Sequence, residues 1–400
     1  MRVVASLLAM LVVAGTAFVP GAASNGSESL LAMTTVDGKQ MLFRVDARTL
    51  ERLESPVLQI PGSVGGGLWS PDRRVVAFAD NQKPVLTFVD VDGMKVGATL
   101  QVAKVGTVDL AAWPTQKRLL GFAYGPLRTD LVVIDPDAAK VIARRPVGGS
   151  GWPYLSLASG LVYLATPAKA IGRARVVVID LDGNSRSVVL DRIRAGTKWR
   201  KVRGVQIADV RQPGLAADPT GRTAYVVAAG GLVAEVDLTT LAVSYHSLDA
   251  AGIRRLARAQ KSINGPIRSA TWVGEGRIAV SGVDAKMTVT GGTGRESWTP
   301  VGLSIVDVAN WHSRLLDPAA GGFTSADGML LVTGKQSFTA YDVDGRIRFT
   351  IPLDEPLLYV QAFRGYAYAW GERVTTIVAL SSGDVVARTP NPKLWLLGGS

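Results

Sequence analysis

Short apolar segments rich in β-branched residues recur along the chain, and most of them end in aspartate. Eight copies end, in chain order, at Asp46, Asp90, Asp135, Asp180, Asp237, Asp307, Asp342 and Leu380. The first four end points are 44 or 45 residues apart, and the later intervals are 57, 70, 35 and 38 residues. A repeat of this period predicts a fold built from similar packed units, with insertions in some copies.

A tight turn follows the apolar segment in several copies. Three of these turns read Asp-x-Asp-Gly, at 90–93, 180–183 and 342–345. We expect the glycine to take the positive φ of a hairpin turn, while the first aspartate accepts hydrogen bonds from turn amides. A second set of turns leads into another apolar strand, at 69–74, 218–222 and 325–328. Each copy thus predicts four short antiparallel strands, labelled a to d, as in β-propeller blades.

These turns resemble those of the secreted YVTN-repeat and WD40-like β-propellers. The resemblance covers nearly all of the chain after residue 23, and it implies the fold rather than a particular function. Several family motifs are missing: the Gly-His and Trp-Asp dipeptides of WD40 blades, the double glycines of kelch repeats and the Ser-x-Asp-x-Gly-x-x-Trp boxes of sialidases. The expected fold is all-β: a single closed propeller of eight four-stranded blades, with seven as the alternative count.

The two ends of the chain complement each other. The first repeat has strands b, c and d but no preceding strand a, whereas the C-terminal segment 393–397 is a lone apolar strand. It is similar to the strands that end at Trp69 and Trp113. We expect the C-terminal strand to complete the first blade, which removes two open sheet edges.

The N-terminus has the features of a secretory signal. Arg2 precedes an uncharged apolar run at 3–19, and the small residues Gly21, Ala22 and Ala23 follow. We expect residues 1–23 to be removed, and the propeller of residues 24–400 to be extracellular or periplasmic. An uncleaved anchor is the alternative, since a membrane span takes about 17 to 25 residues. We expect no transmembrane span in the mature protein.

Composition limits the available chemistry. The chain has no cysteine and two histidines, which excludes disulfides, thiolate metal sites and cysteine nucleophiles. The sequence lacks a Gly-x-Ser-x-Gly elbow, a His-Glu-x-x-His pair and a glycine-rich phosphate loop. His246 and His312 fall in or beside outer d strands, and the Asp-x-Asp-Gly turns lack the distal ligands of a calcium loop. We predict no cofactor, no metal site and no catalytic residue, although separate blades can assemble a site at a central channel.

The long insertions share one face of the predicted disc. In a four-stranded blade the a–b and c–d turns lie on one face, here called the turn face, and the b–c and d–a connections lie on the other, the loop face. All four insertions belong to the loop face, at about 166–175, 193–213, 249–266 and 283–301. Asp249 is expected to cap a short helix in the third insertion.

Positive charge concentrates in these insertions. The chain has a net charge of +11, and a cationic surface attracts polyanions. The candidate binding residues are Arg194, Lys198, Trp199, Arg200, Lys201, Arg203, Arg254, Arg255, Arg258, Lys261, Arg295 and Trp298. The alternative interpretation is a solvated face whose arginine stems cover neighbouring blades.

The sequence therefore predicts a secreted, non-catalytic binding or scaffold protein that is monomeric. The expected partner is an anionic polymer of the cell envelope or matrix, or an acidic protein surface, bound on blades four to six. Nucleic acid is a less favoured partner. The alternative function is a propeller hydrolase or lactonase with a site at the central channel, which the family resemblance allows. Four tryptophans at or beside strand a are expected to serve packing: Trp69, Trp113, Trp272 and Trp395.

Overall fold

Every copy of the repeat forms strand c of its own antiparallel sheet in the computed structural model. The structure describes residues 29–126, 128–147, 150–167, 169–257, 265–290, 293–334 and 336–398. The predicted signal segment at 1–23 lies outside these residues. The described chain forms eight separate sheets, each with four strands in order along its blade, and two sheets carry one additional strand. The prediction of an all-β propeller with eight four-stranded blades is confirmed.

The first sixteen strands build most of blades 1 to 4. They are β1 (Ser29–Val36), β2 (Lys39–Asp46), β3 (Leu58–Ile60), β4 (Val64–Trp69), β5 (Val75–Asp80), β6 (Val85–Asp90), β7 (Lys95–Gln101), β8 (Thr107–Thr115), β9 (Arg118–Tyr124), β10 (Thr129–Asp135), β11 (Lys140–Val147), β12 (Ser150–Leu157), β13 (Gly160–Thr166), β14 (Ile171–Asp180), β15 (Ser185–Val202) and β16 (Val205–Arg211). Blade 2 is β4 to β7, blade 3 is β8 to β11, and blade 4 is β12 to β15 with β16 added.

The remaining elements build blades 5 to 8 and complete blade 1. They are β17 (Gly214–Ala217), β18 (Thr223–Val227), β19 (Leu232–Asp237), β20 (Val243–Ser247), α1 (Ala250–Ala257), β21 (Gly265–Gly274), β22 (Arg277–Thr290), β23 (Thr293–Pro300), β24 (Leu303–Asp307), β25 (Ser313–Asp317), β26 (Phe323–Ala326), β27 (Met329–Thr333), β28 (Ser337–Asp342), β29 (Ile347–Pro352), β30 (Leu357–Phe363), β31 (Tyr366–Gly371), β32 (Val374–Ala379), β33 (Val385–Pro390) and β34 (Trp395–Gly398). Blade 5 is β17 to β20, and blade 6 is β21, β22, β24 and β25 with β23 paired to β22. Blade 7 is β26 to β29, and blade 8 is β30 to β33.

The recurring aspartates close the c–d turns through their side chains. Asp46 Oδ1 accepts hydrogen bonds from the amides of Arg48 and Thr49 at 2.7 and 2.9 Å. Asp237 Oδ1 does the same with the amides of Thr239 and Thr240 at 2.8 and 2.7 Å. The carboxylate thus replaces water for amides that the turn leaves without a strand partner. This confirms the predicted role of the aspartates in the turns.

One turn differs from the prediction. Gly183 and Gly345 have φ values of 81° and 72°, as expected for their hairpins. In the turn at 90–93, however, the positive φ of 43° falls on Met94 rather than on Gly93. This turn is one residue longer, so the left-handed position moves one place along, as it does at Leu50.

Side-chain packing joins the eight sheets into a ring. Each pair of neighbouring blades shares one cluster of buried apolar residues, and the eight clusters account for all eight interfaces, including that between blades 8 and 1. At this last interface Trp370 and Tyr368 of blade 8 pack with Leu30 of blade 1. The Tyr368 hydroxyl also donates a hydrogen bond to Ala47 O at 2.8 Å.

The C-terminal strand completes blade 1. β34 is antiparallel to β1, with Ala32 opposite Leu396 and Met33 opposite Trp395. The sheet order is β3, β2, β1, β34, so the last strand of the chain is the innermost strand of the first blade. This confirms the prediction that the C-terminal strand completes the first blade.

Candidate functional site

The insertion after strand d of blade 4 is a long β-hairpin. β15 continues beyond its pairing with β14 and then pairs with β16, from Gly196 opposite Arg211 to Val202 opposite Val205. Arg203 and Gly204 form the turn, with φ values of 48° and 83° that suit a two-residue hairpin turn. Between Gly196 and Arg211 the hairpin has five lysines and arginines and one carboxylate.

A second hairpin rises from blade 6. β22 pairs with β21 and β24 along its first part and then continues to Thr290, where it pairs with β23. Trp298 lies opposite Ala285, and Arg295 lies opposite Thr288. All residues of β23 are exposed. Because this insertion joins strands b and c, the hairpin projects from the loop face, as the β15–β16 hairpin does.

The two hairpins contact each other across blade 5. A Cβ atom placed on Gly294 of β23 would lie 3.2 Å from Val205 Cγ1 of β16. Nearer the disc, a Cβ atom on Gly265 would lie 3.1 Å from Ala285 Cβ and 3.8 Å from Val210 Cβ. Backbone bonds to Gln212 join the end of β16 to β21, so the hairpins form one raised structure.

A short helix, α1, packs against blades 5 and 6, where Ile253 lies beside Gly231 and Gly252 lies beside Ser313. Asp249 Oδ1 accepts a hydrogen bond from the amide of Gly252 at 2.8 Å at the start of α1, so the predicted cap is confirmed. The same carboxylate accepts a bond from the Ser313 hydroxyl at 2.7 Å and lies 2.9 Å from His312 Nδ1. Burial opposes ionisation of Asp249, but the bonds from Ser313 and Gly252 outweigh it and lower its pKa.

The predicted cations differ in how they are paired. Arg200 Nε lies 2.7 Å from Asp209 Oδ2, so its charge is neutralised within the hairpin, and the pKa of its guanidinium is raised by that partner. Arg194 donates a bond to Ile171 O at 3.3 Å. Within the described part of the chain, Lys198, Lys201 and Arg203 are exposed and make no ion pair.

Each hairpin also has one exposed aromatic side chain, Trp199 in β15 and Trp298 in β23. Trp199 is 55% exposed and Trp298 is 41% exposed, values at which a ring can stack on a ligand. Four predicted residues are not placed as side chains: Arg254 and Arg255 lie in α1 with side chains that are not described, and Arg258 and Lys261 lie outside the described residues. The described part of the predicted set therefore lies on the two hairpins, except for Arg194, which pairs with Arg173 of β14 within blade 4.

The two histidines lie away from the central channel, at the outer edges of blades 5 and 6. His246 Nε2 lies 2.8 Å from Glu235 Oε2, and its ring stacks on Trp311 with centroids 4.0 Å apart. In the described part of the chain, no three His, Asp or Glu side chains gather closely enough to hold a metal ion.

The central channel is poor in charge. Among its eight innermost strands, the charged residues are Asp109 in β8 and Arg268 in β21. Arg268 is buried, and its Nη1 lies 2.8 Å from Asp284 Oδ1 at the root of the β22–β23 hairpin. Desolvation of the Asp109 carboxyl between the strands raises its pKa, partly offset by a hydrogen bond from Tyr124.

The four tryptophans near strand a all contact neighbouring side chains or backbone, but they differ in exposure. Trp69 donates a hydrogen bond to Leu397 O, Trp113 packs edge-on against Phe88, and Trp272 stacks on Tyr225. Trp395 packs against Tyr359 with ring centroids 5.8 Å apart, but it is 42% exposed at the start of β34. It lines a cleft on the loop face between blades 1 and 2, where sequence reasoning placed no site.

Comparisons with known proteins support the fold. No protein-family model matches the chain, and no curated protein matches it in sequence. Among solved structures, the dihydro-heme d1 dehydrogenase NirN, in complex with DHE, matches with a TM-score of 0.60 at 15% identity, covering 97% of this chain and 77% of NirN. Apo AztD from Citrobacter koseri matches with a TM-score of 0.52 at 13% identity, covering 93% of this chain and 98% of AztD.

These identities show a shared fold and nothing finer. The eight sheets and the matched structures show that the fold of this chain is a β-propeller. This chain is a β-propeller with eight blades and two adjoining hairpins on its loop face. Over the described residues, no helix is both long and apolar enough to span a membrane.

Proposed function

We propose that this protein is a non-catalytic binding or scaffold protein that works outside the cytoplasm. It holds an anionic polymer of the cell envelope or matrix, or an acidic protein surface, on the β15–β16 and β22–β23 hairpins. The observation that carries the proposal is the set of exposed cations Lys198, Lys201 and Arg203, which make no ion pair within the described chain. A polyanion that neutralises such cations releases its condensed counterions, which favours binding.

The alternative function, a hydrolase or lactonase with a channel site, has less support. Hydrolytic sites need several acids, bases or a metal held close together. On the innermost strands, Asp109 is the exposed charged residue, whereas Arg268 is buried in its pair with Asp284. One carboxylate with a raised pKa does not supply the acid and base pair that hydrolysis requires.

The test compares two triple variants at matched net charge. Lys198→Ser, Lys201→Ser and Arg203→Ser should lower the salt concentration that elutes the protein from immobilised polygalacturonate. Each lost contact flattens the salt dependence, by about 0.9 in the slope of log affinity against log salt for a polymer as dense in charge as duplex DNA. Arg200 is kept, because Asp209 already neutralises it.

The control variant carries Lys117→Ser, Arg222→Ser and Arg346→Ser. These three exposed cations belong to turns of the turn face, so they change the net charge by the same amount on the opposite side. Retention of the control should stay close to that of the parent. Equal loss in both variants would show that charge acts diffusely, and the hairpins would no longer be the binding site.

A further inference from the structure

A cleft opens on the loop face where blade 1 meets blade 2, far along the ring from the two hairpins. Its volume is about 280 Å³, and it is an open surface cleft rather than an enclosed pocket. Its walls include Thr34, Thr35, Gln40, Gly65, Lys393 and Trp395. These residues come from the ends of strands β1, β2, β4 and β34, so the cleft exists only because the C-terminal strand completes blade 1.

Trp395 supplies an aromatic surface that is held in place. Its ring is 42% exposed, yet its centroid lies 5.8 Å from that of Tyr359, which in turn stacks on Trp370 at 5.7 Å. An exposed indole supported by a row of rings is a stacking surface for a flat ligand face. Such a surface loses little conformational freedom when a ligand binds.

The polar groups of the cleft suit a ligand with hydroxyls and one negative charge. Gln40 offers an amide that both donates and accepts, and Thr35 offers an exposed hydroxyl. Lys393 is the charged residue among the described residues that line the cleft. Its φ is 51°, and its amide donates to Asn391 Oδ1 at 2.9 Å, which holds the chain in this conformation before β34.

The absence of a side chain at Gly65 leaves room in the cleft. Gly65 lines the cleft, and a Cβ atom there would meet only the side-chain amide of Asn81, at 3.3 Å. A Cβ atom on Gly66 would meet nothing within 4 Å. Both positions therefore accept a side chain without backbone strain, but only a side chain at Gly65 would fill the cleft.

We propose that this cleft binds one acidic sugar unit of an anionic polysaccharide, with the sugar ring on Trp395 and the carboxylate at Lys393. Gln40 and Thr35 would hydrogen-bond its hydroxyls. The proposal rests on the proposed function in one respect, because it names the class of polymer that the hairpins hold. A nucleotide also stacks on tryptophan, so a thymidine dinucleotide is the competing ligand in the test.

The test measures binding of trigalacturonate to the full chain by calorimetry, with neutral maltotriose and a thymidine dinucleotide as comparisons. Trp395→Leu, Lys393→Asn and Gly65→Leu should each weaken trigalacturonate binding by about tenfold or more, while Gly66→Leu should leave it unchanged. Asparagine is chosen at 393 because it tolerates positive φ. The melting temperature of each variant identifies any that fails to fold. Gly66→Leu is the control for Gly65→Leu, because it adds the same side chain at the next residue but outside the cleft.

Several results would overturn the proposal. They are tighter binding of maltotriose or the dinucleotide, unchanged affinity in folded Gly65→Leu, or no trigalacturonate binding. The hairpin triple variant separates the two proposals. Suppose that the triple variant loses polygalacturonate retention, and that neither the parent protein nor any cleft variant binds trigalacturonate. The cleft proposal then fails and the proposed function stands. If trigalacturonate binds at the cleft while the triple variant retains the polymer fully, the hairpins fail as the binding site.

Discussion

At the scale of single residues, the repeated aspartates act through hydrogen bonds to backbone amides. The amides of Thr240 and Thr239 lower the pKa of Asp237. The amide of Gly93 is the main cause of the lowered pKa of Asp90, with Lys95 adding to it. Bonds from the amides of Arg373 and Val374 lower the pKa of Glu355 in the same way. All three carboxylates are thus more acidic in the folded chain than in the unfolded chain.

Acid should therefore destabilise the protein in a defined range. A carboxylate whose folded pKa is depressed stabilises the fold above its unfolded pKa, about 4, and this contribution is lost as the pH falls through the folded value. We expect a melting temperature that is nearly constant between pH 8 and pH 5 and falls below about pH 4, measured by calorimetry. The variant Asp90→Asn, Asp237→Asn should melt lower at pH 7 and show a smaller fall in acid. A variant with the parent's acid profile would contradict this account.

At the residue scale, the sequence predicts interactions between residues that are close along the chain. Which aspartates cap the turns was predictable, because the carboxylate and the amides it binds are two or three positions apart. Which residue takes positive φ was not always predictable, since Gly93 matched the motif but Met94 adopts the conformation. The difference lies in turn length, which depends on how the strands on either side align.

At the scale of elements, the sequence predicted the two long insertions but not the contact between the hairpins that they form. The insertions and their charges were evident, because each is a break in the repeat. Their contact was not evident, since Val205 and Gly294 are 89 positions apart in the sequence. Neither residue belongs to a motif. The placement of Trp395 in an open cleft was missed for a similar reason, because its neighbours come from both ends of the chain.

The hairpin contact can be tested by cross-linking. The chain has no cysteine, so Val205→Cys, Gly294→Cys creates a single possible intramolecular disulfide. The distance of 3.2 Å between Val205 Cγ1 and the Cβ position of Gly294 is compatible with disulfide geometry. Mild oxidation should yield the linked peptides by mass spectrometry in nearly all molecules. The control pair Val205→Cys, Gly328→Cys joins opposite faces and should stay reduced; absence of the first link would contradict the raised structure.

At the scale of the whole molecule, the ring depends on its seam. Each blade forms from local hairpins, which is why the repeat count predicted eight blades. Closure joins residues from both ends: Leu394 and Leu396 pack with Leu30 and Trp370, and Leu397 packs beside Trp69. Without β34, blade 1 would lose its innermost strand, and β1 would expose an unpaired edge.

Deleting residues 394–400 should therefore strongly destabilise the protein. The deletion removes the buried side chains of Leu394, Leu396 and Leu397, and truncating one buried leucine to alanine typically costs about 2–5 kcal/mol. Trp395 contributes less than its size suggests, because it is 42% exposed. Thermal melting of the deletion variant should be lowered by far more than that of Trp395→Leu. A deletion variant that melts like the parent would contradict closure by the C-terminal strand.

Hydrogen exchange with and without polygalacturonate tests directly whether the loop face binds an anionic polymer, as proposed. We expect bound polymer to slow exchange at 196–211 and 283–300 on the loop face. Turns of the turn face, such as 69–74 and 218–222, should exchange as in the free protein. Protection on the turn face, or unchanged exchange in both hairpins while the polymer is bound, would contradict the claim.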